Sequence, residues 1–316
     1  MKIKFYGVRG SLPTPSRPGF ETSKYGGNTT CLEAILDSGE EYIFDMGSGL
    51  AVLGDDLMSK GFGQGQGKAK IFLSHVHWDH IQGFPFFTPA YIGGNQLDLY
   101  GEAKAEKTLE ETMAGQQEFP NFPVTLAQMR TYGAELNFHD LKEGESIENG
   151  AKISYMKVDH PDSCFSYKIE EKKQTFVFCT DNEHDGSYND GKYEFGENDK
   201  RIVEWSKDAD AMYYDAQYTP EEYDPSAFDL PGMSKKTWGH STYEVGIDIA
   251  LEAGVKRLFL GHHDIRHSDD TMDAITKRAQ DYLDEKFSEG DYLVKPSVQF
   301  AKEGEEIDLE PVYFSV

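Results

Sequence analysis

Four short apolar runs of this sequence each lead to a side chain that can bind a metal ion. The runs are KIFL (70–73), ISYMKV (153–158), TFVFCT (175–180) and KRLFLG (256–261), and the residues they lead to are His75, His160, Asp181 and His262. Runs rich in β-branched and aromatic residues and bounded by polar or turn residues predict strands. In sheet-based α/β proteins, functional residues collect beyond the strand ends. The sequence therefore predicts an α/β fold with a site where these strands end.

The densest group of such side chains is the motif HVHWDH. It places His75, His77, Asp79 and His80 within six positions, close behind the first predicted strand. Imidazole nitrogens together with carboxylate oxygens suit zinc, and also manganese or iron, better than calcium or magnesium. A histidine-rich surface loop is the alternative interpretation, but no Lys or Arg interrupts the cluster. The motif therefore favours a metal site.

Composition limits the class of protein and its partners. The 316 residues carry 31 Lys and Arg against 56 Asp and Glu, a formal net charge of −25. Recognition of long nucleic acids favours clustered cations, and no basic run is longer than the pair Lys235–Lys236. We therefore expect no long nucleic acid partner. No stretch approaches the ~18 consecutive apolar residues of a membrane span. Three widely spaced cysteines and no export signal predict a cytoplasmic protein without a membrane partner.

Helical patterns occupy the intervals between the predicted strands. A helix over 50–60 is expected to end at Gly61, and a long helix is expected over 269–286. The segment 241–253 begins with Ser and carries Glu three positions later, which predicts a capping box at Ser241.

The segment 103–135 differs from its surroundings because a helical pattern is followed by a stretch rich in Phe and Pro. Its apparently exposed Phe119, Phe122 and Met129 predict an inserted lid or a contact in a homodimer. With no repeat or low-complexity linker present, we expect one domain over residues 1–316 that carries this helical insertion.

The stretch SHVHWDHIQG is similar to the H-x-H-x-D-H signature of the metallo-β-lactamase fold superfamily. This resemblance implies an αββα sandwich that binds two divalent ions, zinc in the first place, with manganese or iron possible. The later ligands of the family pattern follow in order. The resemblance assigns His75, His77 and His160 to one ion, and Asp79, His80 and His262 to the other, with Asp181 bridging the two. It also gives Asp79 a place among the catalytic residues.

Two further stretches resemble particular branches of the superfamily. KTWGHSTYEVGIDIALEAGVKRLFLGHH is similar to the segment of tRNase Z-type phosphodiesterases that carries a His-Ser-Thr motif before the last metal ligand. GVRGSLPTP and KYGGNTTCLEA resemble the N-terminus of their smaller relatives, which include cyclic-nucleotide phosphodiesterases and phage anti-Pycsar nucleotidases. Asp181 speaks against the true β-lactamases, several of which have a cysteine near this point.

His240 is the candidate proton donor. It precedes a predicted helix N-terminus, which favours a phosphate group, and an imidazole beside the leaving oxygen can protonate it. A buried structural histidine is the alternative. Asp215 lies where tRNase Z-type enzymes carry an acidic residue that supports this histidine, although the surrounding motif differs from theirs. Ser241 and Thr242 are candidates for substrate contact or helix capping, and Asn28 for substrate contact or a tight turn.

These features favour a dinuclear metal-dependent phosphodiesterase that hydrolyses a small cyclic nucleotide, 3′,5′-cyclic AMP or GMP. A tRNA 3′-processing endonuclease is the first alternative; the strongly negative charge and the lack of a Gly/Pro-rich basic insertion weigh against it. A thioesterase or lactonase would leave His240 without an obvious purpose. A metal-stabilised scaffold or sensor is disfavoured, because structural zinc needs four closed ligands and no second ion.

Overall fold

The computed structural model describes residues 1–104, 106–143, 146–189 and 192–309. In this part of the chain, two compact units are present. Residues 1–14, 26–143 and 303–308 belong to the first unit, and residues 15–25, 146–302 and 309 belong to the second. Each unit contains one seven-stranded sheet. The prediction of a single domain over 1–316 stays a prediction.

The strands lie in the following order along the chain: β1 (Lys2–Gly7), β2 (Cys31–Ile35), β3 (Glu41–Phe44), β4 (Lys68–Phe72), β5 (Gln96–Glu102), β6 (Glu135–Leu141), β7 (Ser146–Asn149), β8 (Ala151–Val158), β9 (Cys164–Glu171), β10 (Gln174–Cys179), β11 (Ser187–Asn189), β12 (Lys192–Glu194), β13 (Ala211–Asp215), β14 (Arg257–Gly261), β15 (Ser297–Phe300) and β16 (Glu306–Asp308).

The α-helices are α1 (Gly49–Met58), α2 (Trp78–Ile81), α3 (Leu109–Gln116), α4 (Leu126–Thr131), α5 (Glu197–Trp205), α6 (Pro220–Tyr223), α7 (Tyr243–Ala253) and α8 (Asp269–Glu289). Short 3₁₀ helices cover Gly61–Gln64, Phe84–Phe86, Thr88–Tyr91 and Pro225–Phe228. Within the described residues, no helix has both the length and the apolar character needed to cross a membrane.

The sheet of the first unit has the strand order β16-β1-β2-β3-β4-β5-β6. Strands β3 to β6 are parallel, whereas β1, β2 and β16 pair antiparallel with their neighbours. Phe44 at the end of β3 pairs with Phe72 at the end of β4. Because parallel strands end at the same edge of a sheet, Asp45 and the segment 73–80 leave from one edge. Leu50, Leu53 and other buried residues of α1 pack in the core of this unit.

The sheet of the second unit has the strand order β15-β14-β13-β10-β9-β8-β7. Strands β10, β13, β14 and β15 are parallel, and β7 to β10 form antiparallel pairs. Cys179 pairs with Tyr214, and Asp215 pairs with Gly261. The residues at and just beyond the ends of β10, β13 and β14 therefore lie side by side. Helices α7 and α8 bury apolar faces in the core of this unit.

The predicted elements agree with the structure except at three helix ends. The four apolar runs lie in β4, β8, β10 and β14 or extend one residue beyond them, and the three predicted helices correspond to α1, α7 and α8. Helix α1 ends at Met58, with Ser59 as its C-cap, rather than at Gly61, and helix α8 ends at Glu289 rather than at residue 286. The prediction of a cap at Ser241 is wrong, because the hydroxyl of Thr242 accepts the backbone N–H of Val245 instead.

The predicted insertion 103–135, in which residue 105 lies outside the described residues, forms α3 and α4 in the first unit. Leu109, Met113 and Leu126 are buried in the core of that unit. Met129 is buried with them and is not exposed as the sequence suggested, whereas Phe119 is 83% exposed. The lid role and the homodimer contact stay predictions.

Candidate functional site

The HVHWDH motif lies beyond the end of β4 in the first unit. His75, Asp79 and His80 are buried, while His77 is exposed. The ring centroid of His75 lies 4.5 Å from that of His77 and 4.3 Å from that of His80. A carboxylate oxygen of Asp79 lies 3.3 Å from Nε2 of His80. The same oxygen accepts the backbone N–H of Ser11 at 2.7 Å. The strand end thus gathers four potential ligands in one loop.

Asp45, just beyond β3, holds the two buried histidines of this loop in place. Its Oδ2 accepts a hydrogen bond from Nδ1 of His80 at 2.7 Å and another from Oγ of Ser74 at 2.8 Å. The Ser74 hydroxyl in turn accepts from Nδ1 of His75 at 3.0 Å. Burial raises the pKa of Asp45, while the charge of His80 and its hydrogen bond act against this rise. Carboxylate contacts of this kind orient metal-binding imidazoles and increase their basicity.

The second unit contributes residues from the adjacent ends of β10, β13 and β14. Oδ1 of Asp181 lies 3.1 Å from Nε2 of His262, and its Oδ2 lies 3.8 Å from Nε2 of His160. Asp181 has φ 30° and His262 has φ 58°, so both adopt the left-handed region that L-residues seldom occupy. Such backbone conformations concentrate at functional sites. The two oxygens of one carboxylate therefore approach two different imidazoles.

His160, which follows β8, is fixed by the backbone of Gly239. Its Nδ1 donates to the Gly239 carbonyl at 2.8 Å. The N–H of Gly239 donates to Oε2 of Glu183 at 2.8 Å, and the N–H of Thr237 donates to Oε1 at 2.6 Å. Gly239 has φ 87°, and a Cβ built there would lie 2.1 Å from Nδ1 of His160. A glycine is therefore required at this position for the ring to keep its place.

The half-buried His240 pairs with the buried Asp215 in the second unit. Nδ1 of His240 donates to Oδ2 of Asp215 at 2.8 Å. The Asp215 carboxylate also accepts the backbone N–H groups of Asn182 and Gln217, at 3.3 and 3.0 Å. One ligand atom of each member of the group Asp181, Asp215, His240 and His262 lies within 4.8 Å of the others. Asp215 thus fixes one ring nitrogen of His240 and leaves Nε2 for chemistry.

The candidate substrate contacts have structural partners of their own. Ser241 is buried, and its hydroxyl lies 3.1 Å from Nδ1 of His184 and 3.2 Å from the Tyr214 hydroxyl. Thr242 caps α7. In the first unit, Oδ1 of Asn28 accepts from the Ser48 hydroxyl at 2.9 Å. Substrate contact by Ser241, Thr242 and Asn28 stays a prediction.

The donor sets of both units fit divalent metal ions. The Nδ1 atoms of three predicted ligands are engaged by protein atoms, so that Nε2 is the nitrogen left to a metal: His75 by Ser74, His80 by Asp45, and His160 by Gly239. Metal-binding histidines in proteins are oriented in the same way. The mixture of imidazole and carboxylate suits zinc, manganese or iron.

The other four histidines are half-buried or buried. His139 is half-buried and stacks on Tyr100 with ring centroids 4.4 Å apart. His184 is half-buried and contacts the ring of Tyr223. His263 and His267 are buried; Nε2 of His263 donates to a backbone carbonyl, and Nε2 of His267 contacts a carboxylate oxygen of Glu222. His139 and His184 are therefore only partly exposed.

Sequence reasoning missed three residues that support the ligands: Asp45, Glu183 and Gly239. Asp45 had a recognisable signal, because it follows the apolar run EYIF in the same way that Asp181 follows its own strand. Glu183 and Gly239 act through backbone hydrogen bonds between segments far apart in sequence. No local pattern predicts such contacts.

Replacing Gly239 with Ala should reduce metal binding. The new Cβ would collide with the His160 ring and displace this ligand, and loss of support for a metal ligand typically costs about 10- to 100-fold in affinity. Elemental analysis after dialysis measures the effect. Gly19→Ala is the matched control, because Gly19 has φ 77° and nothing within 4 Å of the added Cβ. Equal metal content in the two variants would contradict this role of Gly239.

Comparison with known proteins identifies the family. Residues 64–263, well over half of the chain, match the model of the β-lactamase superfamily domain. Among solved structures, the metallo-β-lactamase fold protein YhfI from Bacillus subtilis superposes with a TM-score of 0.63 at 18% identity and covers 97% of this chain and 98% of its own. The human tRNase Z short form superposes with a TM-score of 0.57 at 18% identity, and the superposition covers 98% of this chain and 100% of the human chain. The predicted α/β metallo-β-lactamase fold is confirmed.

Curated relatives overturn the predicted substrate. Ribonuclease Z of Ligilactobacillus salivarius is 25% identical over 325 residues, which span 89% of this chain and 92% of the relative. Ribonuclease Z of Gemmatimonas aurantiaca is 25% identical over 349 residues, which span 97% of this chain and 95% of the relative. The prediction of a cyclic-nucleotide phosphodiesterase is wrong, and so is its exclusion of a long nucleic acid partner, because these relatives are named for action on RNA. By its sequence match and its fold, the chain belongs to the β-lactamase superfamily.

Proposed function

We propose that this protein is a metal-dependent endonuclease that hydrolyses a phosphodiester bond near the 3′ end of precursor tRNA. The predicted enzyme class, a metal-dependent hydrolase acting on phosphodiesters, is confirmed by the superfamily match and the ribonuclease Z relatives. The observation that supports an RNA substrate is the extent of the similarity to the ribonuclease Z relatives, which spans nearly the full length of each relative. The hydrogen bond between His240 and the buried Asp215 supports the chemistry.

Both ligand groups serve divalent metal ions in this proposal. The first unit supplies His75, His77, Asp79 and His80, and the second unit supplies His160, Asp181 and His262. When bound, paired divalent ions stabilise the attacking and leaving oxygens of an in-line displacement at phosphorus. Zinc suits the donors best, and manganese or iron is compatible with them.

The protein's own contribution to bond cleavage is a proton held at His240. Asp215 accepts from Nδ1, so the imidazole keeps one tautomer and orientation and can hold its second proton at Nε2. Donation of that proton to the leaving ribose oxygen avoids expulsion of a strongly basic alkoxide. The Asp215 carboxylate keeps its position through the N–H groups of Asn182 and Gln217.

Two lysines stand close before His240 in the chain. Lys235 and Lys236 lie five and four positions before it, in a segment whose backbone is tied to Glu183 through Thr237 and Gly239. Nζ of Lys235 lies 4.2 Å from the centroid of the Trp238 ring, and Nζ of Lys236 pairs with Asp224 at 2.6 Å. We propose that these lysines contact RNA phosphates, because lysine side chains are among the usual partners of phosphate oxygens.

Metal-loaded protein should cut a precursor tRNA once, near the end of the mature acceptor stem. Gel analysis with mapping of both new ends measures this cut. Removal of metal by a chelator should abolish cleavage, and zinc or manganese should restore it, because the ligand groups suit these ions and the displacement at phosphorus depends on them. Metal-independent cutting, or cuts scattered along the RNA, would refute the proposal.

A further inference from the structure

The second unit contains a cavity of about 560 Å³ whose walls are rich in rings. Tyr188, Tyr193, Tyr223, Phe228 and His184 line it. Phe228 is 47% exposed and Tyr188 is 45% exposed, so these two rings are accessible to a ligand. The volume falls within the range of sites that bind small molecules. Accessible aromatic faces in such a cavity suit a flat ring.

Polar groups on the same walls could recognise the edge of a ring and an attached phosphate. Burial lowers the pKa of His184 to about 4, so its imidazole is neutral at neutral pH and can stack or exchange hydrogen bonds. Glu244 and Thr242 also line the cavity. Lys236 adds a cation on the wall, where its Nζ pairs at 2.6 Å with Asp224, which lines the same cavity. Flat rings with polar edges and a neighbouring negative charge are the features of a nucleotide.

The cavity is joined to the His240 segment by hydrogen bonds. Nδ1 of His184 lies 3.1 Å from the Ser241 hydroxyl, next to His240 in the chain. The Tyr223 hydroxyl donates to Oε1 of Glu183 at 2.7 Å, and Glu183 holds the backbone of Gly239. A group bound in the cavity therefore sits beside the segment that carries the proton donor.

We propose that this cavity binds an unpaired nucleobase of the RNA substrate, adjacent to the scissile phosphate, with Phe228 as the main stacking surface. This proposal rests on the proposed function, because it names how the RNA is positioned there. Base stacking on aromatic side chains tolerates all bases, so the cavity would place the strand without requiring a particular sequence.

The test combines a protein change with a substrate change. Phe228→Ala should lower kcat/KM for precursor tRNA between about fivefold and about 100-fold, the range typical of one lost stacking contact. Phe228→Tyr should retain most of the efficiency. Leu230→Ala is the matched control, since Leu230 is 49% exposed and belongs to the same loop but does not line the cavity. Thermal unfolding of each variant checks the fold.

RNA that carries one abasic nucleotide, placed in turn on each side of the scissile bond, identifies the contact. One abasic position should reduce cleavage by wild-type protein as much as Phe228→Ala does. That position should cause little further loss in the variant, because partners in one contact are not additive. The proposal would be overturned if the losses from Phe228→Ala and from the abasic nucleotide were fully additive at every position. It would also be overturned if Phe228→Ala had no effect on cleavage.

A binding measurement separates the cavity from the proposed function. Single-stranded tetraadenylate should bind wild-type protein and Leu230→Ala equally, and Phe228→Ala about fivefold to about 100-fold more weakly. If wild-type protein cleaves no precursor tRNA but shows this pattern, the proposed function fails and the base site stands. If it cleaves RNA while Phe228→Ala changes neither binding nor cleavage, the base site fails alone.

Discussion

Replacing Asp181 with Ala or Asn should reduce turnover by more than about 100-fold, beyond the 10- to 100-fold typical of residues that only support metal ligands. Its two oxygens lie 3.1 and 3.8 Å from Nε2 of His262 and Nε2 of His160. The superfamily pattern assigns these histidines to different ions. Removal of the shared carboxylate should therefore lower the content of both, measured by elemental analysis of dialysed protein.

The Asp181→Asn variant separates charge from backbone strain. Asp181 has φ 30°, and Asn tolerates left-handed conformations much better than Ala does. A well-folded Asp181→Asn protein that has lost both metal and activity would therefore show that the carboxylate charge is needed. Asp270→Ala, at an exposed position in the first turn of α8, is the control. Full metal content in both Asp181 variants would rule out the bridging role.

His240→Ala should cut turnover on RNA by roughly 10²–10⁴-fold, the range of general acid catalysis. The ring is fixed by Asp215 at 2.8 Å and stacks on His262 with centroids 4.9 Å apart. A ribose alkoxide is a poor leaving group without a proton, whereas p-nitrophenolate departs unprotonated. The loss should therefore be much smaller for bis(p-nitrophenyl) phosphate.

Metal content decides between this role and a different one for the same residue. Nδ1 of His240 lies 4.0 Å from Oδ2 of Asp181, so the ring is close enough to the ligand group to be a ligand itself. If His240 only donates a proton, its removal should leave the metal content unchanged. A metal-depleted His240→Ala protein, or equal losses on the two substrates, would make His240 a ligand or a structural residue instead.

The part of the site that follows the ends of parallel strands could be predicted from the sequence. Asp181 and His262 follow apolar runs that form parallel strands, and parallel strands end at one edge, so sequence position predicted their proximity. The support of His160 by Gly239 was not predictable, because it depends on a backbone carbonyl 79 residues away in the chain. Local patterns contain no information on such pairs.

Two wrong predictions have physical causes. A capping box requires only a spacing of residue types, and both Ser241 and Thr242 stood near the helix start. The structure uses the Ser241 hydroxyl for His184 and Tyr214 and caps α7 with Thr242. The predicted substrate is wrong because it relied on the net charge of −25. That value is a sum over the entire chain and does not give the charge of one binding surface.

We propose that this site acts on RNA. The most direct test is the ratio of kcat/KM for precursor tRNA to kcat/KM for 3′,5′-cyclic AMP, measured on one metal-loaded preparation. A site that positions a nucleic acid strand should favour the precursor by at least about 100-fold, a level that binding-site discrimination commonly reaches. Hydrolysis of cyclic AMP as efficient as, or more efficient than, cleavage of the precursor would contradict the account.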